Sequence, residues 1–243
     1  MIFLDRRSPV PLHYQFKQSM LERFENGEFP PGTPIPPEMD LMRDYAISRA
    51  TVRRALQEME HLGYINRIPG KGTFVLRTRI KRGLSQLTSF SEDMQERGQQ
   101  VTSKLLDFGN KVPPAYVAEM FQIPPKTPLL YIYRLRMAEN LPLALNISYI
   151  HLPADTTITE DELNLTVSLW GLLARKGLQL IEADKVIEAI QANEERAALL
   201  NIPVGSALLM VESMAYSLNH LPVEYSQVIS SGERYKYSLH QEG

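Results

Sequence analysis

The sequence predicts an α+β protein in two parts: a small basic head of three helices and a hairpin, then a larger acidic body built on an antiparallel sheet. Three observations carry that expectation. Residues 1–82 hold 14 Lys and Arg against 9 Asp and Glu, whereas 83–243 hold 12 against 19, so the net charge of −2 conceals +5 and −7. The stretch Ile47 to Leu56, ISRATVRRAL, combines a helix cap, an apolar stripe and a basic end. In the body, AYVAEMFQIPPKTPLLYIYRLRMAENLPLALNISYI has an echo about eighty residues later, ERAALLNIPVGSALLMVESMAYSLNHLPVEYSQVI.

A chain of 243 residues suffices for one large domain or two ordinary ones, and 44% apolar residues is usual for a globular protein. No apolar run approaches the ~18 residues that a membrane helix needs, and the opening MIFLDRRSPVP lacks the apolar core of a signal peptide. Cysteine is absent, which excludes disulfides and thiolate chemistry. The expected location is the cytoplasm, with no membrane partner.

In the head, Pro9 and Pro11 precede a helix from about Leu12 to Asn26, where Leu12, Phe16, Met20 and Phe24 repeat at i+4 and Gly27 supplies the stop. FPPGTPIPPEMD holds five prolines and cannot continue a helix. Glu38 to Tyr45 reads as a short second helix with Leu41, Met42 and Tyr45 inward. Ser48 then caps a third, whose Val52, Leu56 and Met59 form the buried stripe while Arg49, Ala50 and Arg53 lie off it near the start. Two helices joined by so short a turn, the second opening with arginines, is the helix-turn-helix pattern. Taken alone, the third helix reads equally as an amphipathic helix with a solvated basic face.

The hairpin after the third helix favours the DNA-reading alternative. Tyr64 to Ile68 alternates as a strand, Pro69-Gly70-Lys71-Gly72 is a turn, and Thr73 to Leu76 returns as a second strand. Such a hairpin is a wing. Lys71 sits between two glycines that allow close backbone approach to a phosphate or the minor groove. Through PPGTPIPPEMDL, ISRATVRRALQEMEHLGYI and PGKGTFV, residues 11–76 resemble the winged helix-turn-helix of the GntR family of bacterial transcription regulators. The resemblance implies that Arg49 and Arg53 contact operator bases or phosphates, with Thr51 and Gly70 supporting phosphate contacts and Lys71 at the wing tip. Members often carry arginine after the glutamate that opens helix 2; Met39 stands there in this chain. Arg54, a step around the helix, is expected in a solvent-exposed or interhelical ion pair.

Residues 77–83 include the basic run RTRIKR and read as a tether rather than a phosphate track, which divides the chain into 1–76, 77–83 and 84–243. The body opens with LSQLTSFSEDM, in which Ser89 and Glu92 fit a capping box. The start of this helix, with its Thr88, Ser89 and Ser91 hydroxyls, is either an anion site or a cap and nothing more. Val101 to Phe108 reads as a strand and Pro113 to Phe121 as a helix; Thr166 to Lys176 as an amphipathic helix and Leu178 to Ile190 as a strand. Each repeated unit is a short helix, an Ile-Pro turn, a long β-rich run, a polar turn with Leu-Pro, and a second strand, so the pair predicts a pseudo-symmetric antiparallel sheet. Arg134 and Arg136 lie two apart on a strand and share a face, suiting either an anion trap or a solvated surface. Glu224 alone reads as a surface residue.

Through LTSFSEDM, YRLRMAENLPLALNISYI and GERYKY, residues 83–240 resemble the UTRA effector domain of the HutC branch of the same family. That implies a chorismate-lyase-like fold and a small-molecule pocket. Carried over from members that bind amino-sugar phosphates, Thr88, Ser89, Phe90, Ser91, Arg134 and Arg136 would hold an anion, and Glu224 a polar, sugar-like body. Asn146 replaces a common glutamate, and Trp170 and Ser230 stand where tyrosine occurs. A sugar phosphate leads among the effectors implied; another phosphorylated or carboxylate metabolite is the alternative.

The histidines His13, His61, His151, His220 and His240 show no metal spacing, and no nucleophile elbow, phosphate-binding loop or dinucleotide fingerprint occurs. No catalytic residue, metal or cofactor is expected. The expected function is a homodimeric, sequence-specific regulator, in the repressor sense, of a pseudo-palindromic duplex operator, modulated by a small anionic effector. The competing reading is a ligand-binding or chorismate-lyase-like enzymatic module without DNA binding.

Overall fold

The computed structural model describes residues 4–76, 80–83, 89–96, 101–138, 141–166 and 168–238. The chain divides into two compact units, Met1–Ile80 and Lys81–Gly243.

The first unit contains α1 (Leu12–Glu25), α2 (Glu38–Tyr45), α3 (Arg49–His61) and the hairpin β1 (Ile65–Ile68) and β2 (Gly72–Val75). The i+4 apolar rows meet in one core: Phe16, Met20 and Phe24 of α1, Leu41 and Tyr45 of α2, and Val52, Leu56 and Met59 of α3 are all buried. The Phe16 and Tyr45 rings meet edge to face at 4.7 Å. α2 ends on Ala46 in the left-handed region, φ +51°, which lets the chain turn sharply into α3. α3 ends on Gly63, φ +73°, where the Tyr64 amide donates back to the Met59 carbonyl. The proline-rich segment also pairs: Ile35 N–H donates to Thr73 O and Val75 N–H to Thr33 O, both at 2.9 Å.

The second unit carries a six-stranded antiparallel sheet. Its strands are β4 (Val101–Lys111), β5 (Leu129–Ala138), β6 (Leu141–Ile150), β7 (Glu182–Gln191), β8 (Ala207–Ser217) and β9 (Leu221–Ser231), in the order β4-β5-β6-β9-β8-β7. That order reads the repeat outward from the middle in both directions. Each half contributes an outer strand, a short helix (α5, Ala115–Met120, or α8, Glu194–Leu200) and a hairpin, with β6 and β9 pairing at the pseudo-twofold.

α6 (Glu160–Asn164) and α7 (Leu169–Arg175) lie over one sheet face against Leu130, Ile132 and Ile150. α8 packs with Leu135, Leu145 and Ile229, and α5 with Leu129, Met214 and Tyr225. Arg234, from GERYKY, is buried and donates to the Leu200 and Asn201 carbonyls, satisfying the end of α8, and to Pro142 O.

Two expectations are corrected. The tether of 77–83 is not wholly a tether: Ile80–Gly83 is a strand, β3, paired with β10 (Tyr235–Ser238). Its partner lies at the far end of the chain, invisible to local periodicity. The strand expected from Leu178 begins at Glu182 instead. Leu178 and Leu180 are apolar because they pack beside α7 in the core, not because they belong to the ladder.

Candidate functional site

In the head, Ser48 caps α3 by accepting from the Thr51 amide at 3.2 Å, and its Oγ lies 2.8 Å from the Thr51 hydroxyl. Both polar groups of Thr51 are thus committed to the cap. Arg49, Arg53 and Arg54 are exposed, but their surroundings differ. Arg49 Nε is 3.5 Å from Glu38 of α2, and Arg54 Nε is 3.3 Å from Glu58 within α3, an exposed pair rather than an interhelical one. Arg53 has no ion-pair partner among the described residues. Gly70, φ +74°, occupies the left-handed position of a turn closed by Lys71 N–H donating to Ile68 O at 2.9 Å. Lys71 stands exposed at the tip. Met39 is 69% exposed at the start of α2.

In the body, one pocket of about 640 Å³, its open mouth included, lies on the sheet face beneath α7 and beside α4 (Phe90–Glu96). It brings together eight residues singled out in the sequence: Ser89, Phe90 and Ser91 at the start of α4, Arg134 and Arg136 on β5, Asn146 on β6, Trp170 on α7 and Glu224 on β9. Thr88 lies outside the described residues. Ser230 does not reach the pocket wall: it is fully buried, its hydroxyl directed at Leu209 O at 3.5 Å. The pocket also takes in Lys185 of β7, Ser213 of β8, Ser226 of β9 and Tyr237 of β10, none singled out in the sequence. Ser226 is two residues from Glu224, so strand alternation alone could have placed it on the same face.

The capping box forms: Glu92 N–H donates to Ser89 Oγ at 3.2 Å and Ser89 N–H to Glu92 Oε2 at 2.8 Å. Arg136 donates to Ser91 Oγ at 2.6 Å and stacks over the Phe90 ring at 4.9 Å. Arg134 and Arg136 are 4% and 1% exposed, which excludes the solvated-surface reading. Nε and Nη1 of Arg134 are buried without a hydrogen-bond partner among the described residues. Burial lowers the Arg134 pKa to about 10, opposed by the Glu224 charge.

Glu224 is no surface residue. It is 3% exposed and accepts from Ser148 Oγ and Trp170 Nε1, each at 2.6 Å. Burial pushes its carboxyl above the usual carboxylate range, against the pull of those two donors and of Arg134. A buried cation with open donors costs free energy unless an acceptor arrives, so this arrangement can bind an oxyanion.

Residues 14–75 match the profile of bacterial regulatory proteins of the gntR family, and residues 96–236 match the UTRA domain. The HTH-type transcriptional repressor NagR of Bacillus subtilis (strain 168) is 29% identical over 235 residues, covering 96% of each chain. The mannosyl-D-glycerate transport/metabolism system repressor MngR of Escherichia coli (strain K12) is 28% identical, covering 94% of this chain and 95% of its own. Among solved structures, PhnF from Mycobacterium smegmatis matches with a TM-score of 0.62 at 19% identity, over 96% of this chain and all of that one. That likeness shows the fold. The exposed basic helix, the wing and the covered sheet with its pocket agree with the two profiles: the chain belongs to the gntR family of bacterial regulatory proteins, as a DNA-binding transcription regulator with a UTRA effector domain rather than an enzyme.

Proposed function

We propose that the chain is a cytoplasmic, homodimeric repressor that reads a pseudo-palindromic operator and is controlled by a small anion, foremost a sugar phosphate. The head, residues 1–76, presents Arg49 and Arg53 of α3 to the major groove. Thr51 and Gly70 shape the backbone that approaches phosphate, and Lys71 makes the wing contact. Two heads related by a dimer axis read two half-sites. The body, residues 84–243, holds the effector.

The observation behind the effector reading is Arg134, a buried guanidinium whose Nε and Nη1 have no hydrogen-bond partner among the described residues. A phosphate or carboxylate oxygen supplies what it lacks. Arg136, Ser91 and the backbone of 89–91 hold the rest of the anion, while Trp170, Asn146 and Glu224 face the ligand's body. The names of relatives such as the mannosyl-D-glycerate system repressor support a sugar-derived ligand.

Coupling to the head has a physical route. Tyr237 lines the pocket on β10, and β10 pairs with β3, which follows residues 77–79 in the chain. In this reading a ligand that displaces Tyr237 acts on β3, the strand that follows the head in the chain. The test is a thermal-shift screen of the full chain against sugar phosphates, amino acids and carboxylic acids. A stabilising phosphate that fails to stabilise Arg134→Ala supports the reading; stabilisation only by uncharged compounds contradicts it.

A further inference from the structure

The two arginines account for the anion. What the pocket offers the rest of the ligand is set by the other side chains of its wall. Among the described residues lining it, the charged ones are Arg134, Arg136, Lys185 and Glu224, so cations outnumber carboxylates. Away from α4 and α7 the remaining polar groups are neutral: Asn146 of β6, Ser226 of β9, Ser213 of β8 and Tyr237 of β10. Asn146 stands opposite Arg134 in the β5–β6 ladder, and Ser226 stands opposite Ser213 in the β8–β9 ladder. The Ser213 and Tyr237 hydroxyls are buried without a hydrogen-bond partner among the described residues.

Glu224, the one carboxylate in this wall among the described residues, is already committed. Its Oε1 accepts from Ser148 Oγ and its Oε2 from Trp170 Nε1, each at 2.6 Å. Burial favours its neutral form, opposed by those two donors and by the Arg134 charge. A phosphate that settles on Arg134 cancels the last of these and brings negative charge close by, which favours the neutral carboxyl further.

We infer that the body of the effector is an uncharged polyhydroxy chain or ring, and that Asn146, together with Ser226, Ser213 and Tyr237, reads its hydroxyls and rejects a cationic group. The inference rests on the reading of this pocket as the effector site. A hydroxyl both donates and accepts, as the Asn146 amide and the three protein hydroxyls do, so a polyol supplies the partners that Ser213 and Tyr237 lack. An ammonium only donates. It leaves the Ser213 and Tyr237 protons unmatched, and it carries positive charge into a wall whose cations already outnumber its carboxylate.

The full-length protein is titrated calorimetrically with glucose 6-phosphate, glucosamine 6-phosphate and inorganic phosphate, below neutral pH so that the amine carries its proton. The two sugar phosphates differ in one hydroxyl against one ammonium. The expected result is tighter binding of glucose 6-phosphate, by about tenfold or more, the cost of unmatched charge and donors in a buried site. Asn146→Asp keeps the shape of the side chain and adds a carboxylate. Opposite Arg134 it weakens the phosphate end for every probe, but the ratio of the two sugar phosphates cancels that loss and should fall by at least about fivefold. Tyr237→Phe, which leaves both arginines in place, should weaken glucose 6-phosphate several-fold and inorganic phosphate by less than about twofold. Equal affinities for the two sugar phosphates in the unaltered protein, or a preference for glucosamine 6-phosphate, overturn the neutral-body inference alone, because the phosphate end still binds. So does glucose 6-phosphate binding no tighter than inorganic phosphate, or an equal loss of both in Tyr237→Phe. A ratio untouched by Asn146→Asp overturns the part given to Asn146. Failure of all three probes to bind the unaltered protein overturns the phosphate reading itself.

Discussion

Two neighbouring arginines on α3, Arg53 and Arg54, allow a prediction with an internal control. Arg53 is exposed and free of ion pairs among the described residues, so Arg53→Ala breaks no intramolecular contact and should leave the melting temperature unchanged. Arg54 is engaged by Glu58 at 3.3 Å, and Glu58 also receives Lys17 at 3.1 Å. Arg54→Ala should therefore cost a few tenths of a kcal/mol in stability, the usual worth of an exposed i,i+4 pair, and little in operator binding. If Arg53 bonds a base edge, its loss costs about 1–3 kcal/mol of specific binding, roughly 5- to 150-fold in Kd. If it holds only a phosphate, affinity falls uniformly over sequences and the salt slope drops by about 1. Fluorescence anisotropy at several salt concentrations, on an operator selected from random duplexes and on a scrambled duplex, separates the two. Unchanged affinity for Arg53→Ala, or a larger loss for Arg54→Ala, would refute the assignment of α3 as the reading helix.

Other outcomes rest on the same geometry. Ser48→Ala should destabilise the head by about 1 kcal/mol, because the Thr51 amide loses its acceptor, as read by chemical denaturation. Ala46→Gly should stabilise it by up to about 1 kcal/mol, since alanine at φ +51° pays a left-handed penalty that glycine does not; a lower denaturation midpoint would contradict this. Glu224 titrates above the ordinary carboxylate range because it is buried, so in the window between the ordinary and the raised value the folded chain binds more protons than the unfolded one. Stability therefore rises as pH falls through the raised value, and neutralising Glu224 releases Arg134 for an incoming anion. Anion affinity of the unaltered protein should increase on mild acidification, corrected for the ligand's own protonation, and Glu224→Gln should flatten that dependence. A slope unaffected by Glu224→Gln would assign the titration elsewhere.

The head was almost wholly legible because its signals are local. Caps, stops and i+4 rows lie within a few residues of one another, and the ends of α2 and α3 fall where Ala46 and Gly63 permit a left-handed turn. The repeat exposed the pairing of the two hairpins, though not that their second strands would meet at the centre of the sheet. The pocket was half legible. Arg134 and Arg136 announced themselves as a same-face pair, but strand alternation cannot tell a solvated face from one roofed by α7. Glu224 therefore read as surface, and Ser213 and Lys185 did not register at all. Ser230 overshot for the related reason that it lies beyond the pocket floor, fully buried. The strand Ile80–Gly83 was hidden because its partner lies at the other end of the chain.

Regulation by this protein turns on whether an anion held by Arg134 sets the affinity of the head for DNA. The decisive measurement is operator Kd for the unaltered protein and for Arg134→Ala, each with and without a saturating phosphorylated effector from the thermal-shift screen. The unaltered protein should shift by roughly 5- to 150-fold, the span of a coupling free energy of about 1–3 kcal/mol. Arg134→Ala should bind the operator as tightly as the unaltered protein and show no shift. A full shift that persists in Arg134→Ala would contradict control through this guanidinium.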